Sequence, residues 1–336
     1  MLQILDKTPF QSALAIFTDQ NGAEKVTIAI KGTFEISMRH HGEMQLASEQ
    51  LPVQYVDEHY GEPGNSSIKY PADLVLGKVA TDIGLIGIAQ SPRKKPVKKL
   101  LVSVKVGPLQ KKIMVIGDRF WKKRSLLSGF YMTDPKPFTD MPLIYERAFG
   151  GIDQTLDKKK YGGDNRNPVG TGFRLNKSTV DNHKLPNLEH PDHLISHWKD
   201  KPPIACYGFT EGSWEPRSKF VGTYNDTWLK NQAPLLPKDF DLRFFNSASS
   251  GLIAKGLLKG GEHVQLLHLS KQENVEFNLP KLEINLMFRL GTERNYEKAD
   301  LWTVMFEPNK SRFYMVWGGS FCVGNQPSRM KYVEVE

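Results

Sequence analysis

Apolar residues recur with period two in runs rich in Val, Ile, Phe and Tyr that end at Gly, Pro, Asn or Asp, and helical spacing is scarce. That pattern predicts a mainly β protein. In KVTIAIKGTF (residues 25–34), Val26, Ile28 and Ile30 fall on one face and Thr27, Ala29 and Lys31 on the other, the alternation of a half-buried strand. Residues 12–17 pair with it across a turn at 19–22. LLVSVKVG (100–107) and KKIMVIGDRFW (111–121) flank Gly107 and Pro108 and read as a hairpin whose turn carries Lys111 and Lys112 into solvent.

The same alternation returns in HVQLLHLS (263–270), VEFNLP (275–280), LEINLMFRL (282–290), LWTVMFE (301–307) and FYMVWGG (313–319), a meander of five strands. Between residues 174 and 203 it breaks down around Pro186, Pro191, Pro202 and Pro203. The expected fold is therefore all-β, with two antiparallel sandwich or barrel-like lobes, long ordered loops and few short helices. Residues 1–173 form the first lobe, 174–203 an irregular connection and 204–336 the second. Short helices fit only around 193–199 or 227–232.

Composition narrows the function classes. A chain of 336 residues, 39% hydrophobic, with 18 Phe, 11 Tyr and 6 Trp, can bury a large core without disulfides. No run reaches the length of a membrane-spanning helix, and Asp6, Lys7 and Pro9 interrupt the place of a secretory signal, which points to the cytoplasm. Cys206 and Cys322 are too far apart in sequence for a CxxC motif and read as buried thiols. The net charge of +8 gathers at Arg93, Lys94, Lys95, Lys98 and Lys99, at Lys111 and Lys112, at Lys122 to Arg124 and at Lys158 to Lys160. These clusters could track phosphates, but without aromatic interleaving or a helix-turn-helix pattern they read as solvated strand ends and loops.

Catalytic signatures are missing. GNSSIK (64–69) and NSASSG (246–251) lack nucleophile-elbow spacing, and LLKGGEHV (257–264) leads into a strand and not into an anion-holding helix. Glu189, His190, His193 and His197 resemble a ligand set, since His193 and His197 would share a helical face, but Pro191 and Asp192 interrupt it and solvated histidines are the better reading. Asp82, Asp140, Glu146, Asp226, Asp239 and Asp241 could supply a glycosidase pair, although Asp beside Gly and Pro more often caps turns. No catalytic, cofactor or metal residue is assigned.

Three dense aromatic and Pro/Gly segments stand out: PFTDMPLIYERAFGGID (137–153), NRNPVGTGF (165–173) and the stretch 214–246, which contains GTYNDTWLKNQAPLLPKDFDLRFFN. Their composition suits buried Arg and Asp holding loops together under Trp and Tyr. Together with TPF (8–10), KGTF (31–34) and GDRFW (117–121), and in this order from about residue 8 to residue 317, they resemble the DUF-named adaptor family of bacterial type VI secretion. The resemblance implies a non-catalytic cytoplasmic adaptor or chaperone, without cofactor, that holds a cognate effector or PAAR protein and helps load it onto the VgrG spike. The basic run at 93–99 is heavier than the family pattern and suits an acidic partner.

An interaction protein needs apolar anchors, and Trp214, Tyr224, Trp228, Phe244 and Phe245 are the candidates for partner binding. The competing classes are a carbohydrate-active β-sandwich hydrolase using two of the carboxylates above and a nucleic-acid binder using the Lys and Arg clusters.

Overall fold

The computed structural model describes residues 2–36, 45–125, 129–154, 162–324 and 326–336. Strands dominate, and the α-helix among the described residues spans Asp226–Asn231. No helix forms at 193–199, because the Asp200 carboxylate accepts the amides of Ser196 (2.9 Å) and His197 (2.8 Å) and closes a turn there.

The larger sheets number three. The central one runs Gln11–Thr18, Glu24–Glu35, Arg312–Gly324, Asp300–Glu307 and Asp82–Leu85. The second runs Leu188–Glu189, Leu109–Ile116, Lys99–Val106, His263–Leu267 and Asn274–Asn278; the third runs Gln3–Asp6, Met330–Val335, Asn285–Leu290 and Glu293–Lys298. Pairing is mostly antiparallel, but Asp82–Leu85 lies parallel to Asp300–Glu307 and Gln3–Asp6 parallel to Met330–Val335.

This topology corrects the expected division into sequential lobes. The central and second sheets each take strands from both sides of residues 174–203, and that stretch itself supplies Leu188–Glu189 and the buried side chains Val180, Leu185 and Ile195. One contiguous core reaches from Ala13 to Val335, with a satellite around Trp121, Phe149 and Phe173. Nor do the strands after residue 263 form one meander. They make a hairpin in each sheet: His263–Leu267 with Asn274–Asn278 in the second, Asn285–Leu290 with Glu293–Lys298 in the third, and Asp300–Glu307 with Arg312–Gly324 in the central one.

The first hairpin forms as the alternation predicts, with Gln11 opposite Lys31 and Thr18 opposite Glu24. Its second strand is buried on both faces: Val26, Thr27, Ile28, Ala29 and Ile30 are fully enclosed and Lys31 nearly so. Polar residues occupy the second face because each has a partner there. Lys31 Nζ lies 2.9 Å from Asp73 and 4.0 Å from the Tyr314 ring centre, Thr33 hydrogen-bonds Gln50 and Leu51, and Thr27 meets Ser320 at 2.9 Å. The KGTF motif is thus a core element. A Cβ on Gly32 would sit 2.8 Å from the Phe10 ring, which stacks on Trp317, and Phe34 stacks on Phe313 at 5.3 Å.

Along Arg312–Gly324 one row of side chains joins all three sheets. Phe313 meets Phe277 of the second sheet at 5.2 Å, and Phe321 meets Phe288 of the third at 5.3 Å. GDRFW closes the second sheet's far end: a Cβ on Gly117 would fall 1.8 Å from the Lys136 carbonyl oxygen, Arg119 pairs with buried Glu189, and Trp121 is buried.

At the end of Asp300–Glu307, Glu307 accepts from Tyr70 (2.5 Å), Lys310 (2.7 Å) and Arg312 (2.6 Å). Burial pushes its carboxyl up, but these donors outweigh burial and hold it below the ordinary glutamate range. A carboxylate depressed in the folded state stabilises above its unfolded value, so this contribution is present at neutral pH and lost as pH falls below about 4. Glu307→Gln is expected to cost about 2 kcal/mol at pH 7 and to flatten the acid limb of stability, read by urea unfolding across pH. An unchanged acid limb would remove Glu307 from this role.

Candidate functional site

The three dense segments are scaffolding of the kind their composition suggests. Asn167 Nδ2 donates to the carbonyls of Tyr145 (2.9 Å) and Phe149 (3.0 Å), locking NRNPVGTGF onto the 137–153 segment. Arg147 donates to Asn187 at 2.9 Å, and Glu146 accepts the amide (2.8 Å) and hydroxyl (2.9 Å) of Ser67.

The third segment folds into an arm that stands out from the core. Arg217 closes its base by donating to the Phe244 carbonyl at 2.7 Å and the Thr210 carbonyl at 2.6 Å while lying over the Phe244 ring. Asn225 caps the helix Asp226–Asn231 by accepting the Trp228 amide at 2.9 Å. Trp228 Nε1 donates to the Leu235 carbonyl at 2.9 Å, and Gln232 donates to the Gln20 carbonyl at 2.6 Å, so the arm rests on the first hairpin turn. The Thr223 hydroxyl and amide bind the exposed Asp239 and hold its carboxyl below the usual range.

The five aromatic candidates separate on this arm. Trp214 is 4% exposed and meets Tyr145 edge-on at 5.3 Å, which makes it a core residue and corrects its place among the anchors. Phe244 and Phe245 are half-buried in a triad with Phe240. Tyr224 is 50% exposed and packs against the half-buried Trp228 at 4.6 Å, beside Leu229, which is 63% exposed. The sequence reading missed Leu229, Pro234, Leu235 and Leu236 because it weighted aromatic residues; the last three wall an apolar groove of about 320 Å³ with Phe17, Leu76 and Phe245.

Phe17 belongs to Gln11–Thr18, an edge strand of the central sheet without one charged residue. The edge strand Glu293–Lys298 carries Glu293, Arg294, Glu297 and Lys298, a composition that blocks strand pairing. The groove thus joins the arm to the uncharged edge, since Phe17 lines it together with Leu235, whose carbonyl accepts from Trp228.

A second concavity, of about 670 Å³, lies at the base of the arm, lined by Glu215 and Pro216 before it and Ser249–Gly251 after it in sequence. Lys111, Lys112, Arg166 and Lys201 line it with Tyr145, His190 and Asp192. Lys111 is not in the hairpin turn, as the sequence suggests; it pairs with Val104 in mid-strand, is half-buried, and its Nζ donates to Ser249 Oγ (3.0 Å) and the Ser250 carbonyl (2.8 Å). With only neutral partners there, burial pushes the ammonium down to about 8.

The remaining candidates take structural positions. Asp82 is buried against Lys78 at 2.7 Å, Asp140 pairs with Lys94, Asp241 accepts the Arg243 amide at 2.8 Å, and Asp226 sits in the helix's first turn. The rings of His190 and His193 lie 5.1 Å apart, and among the described residues no three His, Cys, Asp or Glu side chains are placed to hold a metal. Lys98 pairs with Asp134 at 3.1 Å, while Lys158 to Lys160 lie outside the described residues. Cys206 is buried, and burial pushes its thiol up to about 11; Cys322 is exposed, contrary to expectation. No helix among the described residues is long and apolar enough to cross a membrane.

Residues 21–318 match a family described as an uncharacterized protein conserved in bacteria. The chain belongs to the DUF2169 family. The DUF2169 span takes in the arm and the basic cleft, whereas Gln3–Asp6, Gln11–Thr18 and Met330–Val335 lie outside it. No curated protein and no solved structure matches the chain.

Core and surface anchors differ in what their loss costs. Trp214→Ala is expected to lower the unfolding free energy by about 3–5 kcal/mol, and Leu229→Asp to change it by no more than about 0.5 kcal/mol, both read from denaturant midpoints. Equal losses would show that the arm tip is part of the cooperative core.

Proposed function

We propose that this DUF2169 protein is a non-catalytic cytoplasmic adaptor of bacterial type VI secretion, which binds an effector or PAAR protein and helps load it onto the VgrG spike. The resemblance of its ordered motifs supplies the system, and the arm supplies the physical means. The observation that carries the reading is the exposure of Tyr224 and Leu229 on the arm, with Trp228 bonded to Leu235 on the groove wall and Phe17 of the uncharged edge strand Gln11–Thr18 lining the same groove. Exposed apolar surface of this kind is costly in water and is the usual mark of a protein partner. The edge adds a second mode, since an extended segment can extend the sheet through main-chain hydrogen bonds.

Co-expression of the tagged protein with the products of its neighbouring genes, followed by affinity capture and size-exclusion chromatography, tests the reading. A stoichiometric complex with an effector or PAAR protein is expected, and Leu229→Asp is expected to weaken it about tenfold, as loss of a buried interface anchor does. A protein that elutes alone beside all of those products would overturn the proposal.

A further inference from the structure

The cleft at the base of the arm has a charge pattern that the fold itself does not require. The buried lysines of the core all face carboxylates: Lys31 faces Asp73 at 2.9 Å and Lys78 faces Asp82 at 2.7 Å. Arg166, on the cleft wall, is likewise engaged by Asp164 through two hydrogen bonds. Lys111, Lys112 and Lys201 have no carboxylate within ion-pair distance among the described residues. The two acids on the wall are turned to other work. Glu215 pairs with Lys219 at 3.1 Å, and Asp192 points to solvent, 83% exposed, with His190 at 3.9 Å.

We propose that the cleft is a binding site for a carboxylate-bearing polypeptide segment, with an Asp or Glu side chain of the partner seated on Lys111 and Lys201 supplying a second positive charge. The apolar walls suit a peptide: Tyr145, Ile204, Pro191, Pro203 and Pro216 line the same space and give a main chain flat surfaces to lie on. A single-stranded nucleic acid fits less well, since among the described residues no stacked aromatic pair lines the cleft to hold its bases. Lys111 already spends two donors on Ser249 and Ser250, which fixes the ammonium in place and leaves its third proton for an incoming carboxylate. The proposal deepens the adaptor reading by naming the chemistry of the partner segment, and rests on that reading only for the segment's source.

The test is fluorescence anisotropy of the full chain with a short labelled peptide of alternating Glu and Pro, against a matched peptide of Gln and Pro and a single-stranded oligonucleotide of equal charge. The Glu peptide is expected to bind at least tenfold more tightly than the Gln peptide, and Lys111→Met to remove about tenfold of that affinity, the size of one charge-assisted hydrogen bond. Lys201→Glu, on an exposed side chain that leaves the fold intact, is expected to weaken binding similarly, which guards against a Lys111 variant that fails to fold. Affinity should also fall as pH rises from about 7 to about 9, because Lys111 gives up its proton near 8 whereas the ordinary lysine range lies above 10. Equal binding of the Glu and Gln peptides, or wild-type affinity in both variants, overturns the proposal, and tighter binding of the oligonucleotide replaces it with a phosphate site. Since the peptide assay needs no secretion partner, a failed capture alongside selective peptide binding would count against the adaptor reading alone.

Discussion

Thirteen residues, Arg312–Gly324, run through the middle of the central sheet with neighbours on both sides, and most of them are buried. A strand enclosed on both faces must find cover for each, and the architecture follows from how it does so. One face takes the second sheet at Phe313 and the third at Phe321, and the other takes the chain around Asp73 and Leu76 through Tyr314 and Ser320. Because the covering elements come from residues 73–76 and from 274–290, neither half of the chain can complete this core without the other. The hydrophobic gain is therefore collected only when long-range pairings close, which favours a single cooperative unit.

Buried charge then fixes how the arm leaves that unit. Asp82 accepts from Lys78 at 2.7 Å, from Asn246 at 3.1 Å and from the Ser247 amide at 2.9 Å, so a central-sheet strand holds the C-terminal root of the arm. At the other root Arg217 reaches across to the Phe244 carbonyl. Apolar packing alone would tolerate several positions of such a long excursion. Directional bonds to a buried carboxylate select one, because leaving that charge unpaired would cost several kcal/mol.

Much of this was legible from residue order. Period-two alternation gives the first hairpin and the Lys99–Val106 with Leu109–Ile116 pair, since local turns set their register. It could not distribute the late strands among three sheets, because the alternation of LEINLMFRL and LWTVMFE says that each hides a face but not against what. ERNYEK at Glu293–Lys298 went unread as a strand since its charges suit an exposed edge and mask its alternation. The double burial of KVTIAIKGTF was hidden for the opposite reason: Lys31 reads as a solvent residue until Asp73, far along the chain, neutralises it. Of the proposed anchors, Tyr224 and Trp228 do reach the surface, while Trp214 does not, because aromatic content alone cannot separate a core ring from an exposed one. The basic cleft was illegible altogether, as it gathers Lys111, Arg166 and Lys201 from three separate stretches.

Arm and cleft are parts of one construction. Glu215 and Pro216, which line the cleft, lead into the arm, and Ser249 to Gly251, which line it too, follow the arm, so the excursion at 217–246 leaves from and returns to the cleft. Its hydrogen bonds to Gln20, Leu235 and Asp239 order it before any partner arrives. A preordered surface spares the conformational entropy that a folding-on-binding loop would lose, typically about 0.5–1.5 kcal/mol for each immobilised side chain. The two surfaces also divide the physical work. On the proposed reading, apolar contact at the arm would supply affinity that salt hardly touches, while Lys111 and Lys201, which face no carboxylate among the described residues, would supply charge selection that salt screens. A segment spanning both would bind as one ligand with two linked contacts, and the rigid root formed by Asp82 and Arg217 sets the distance between them.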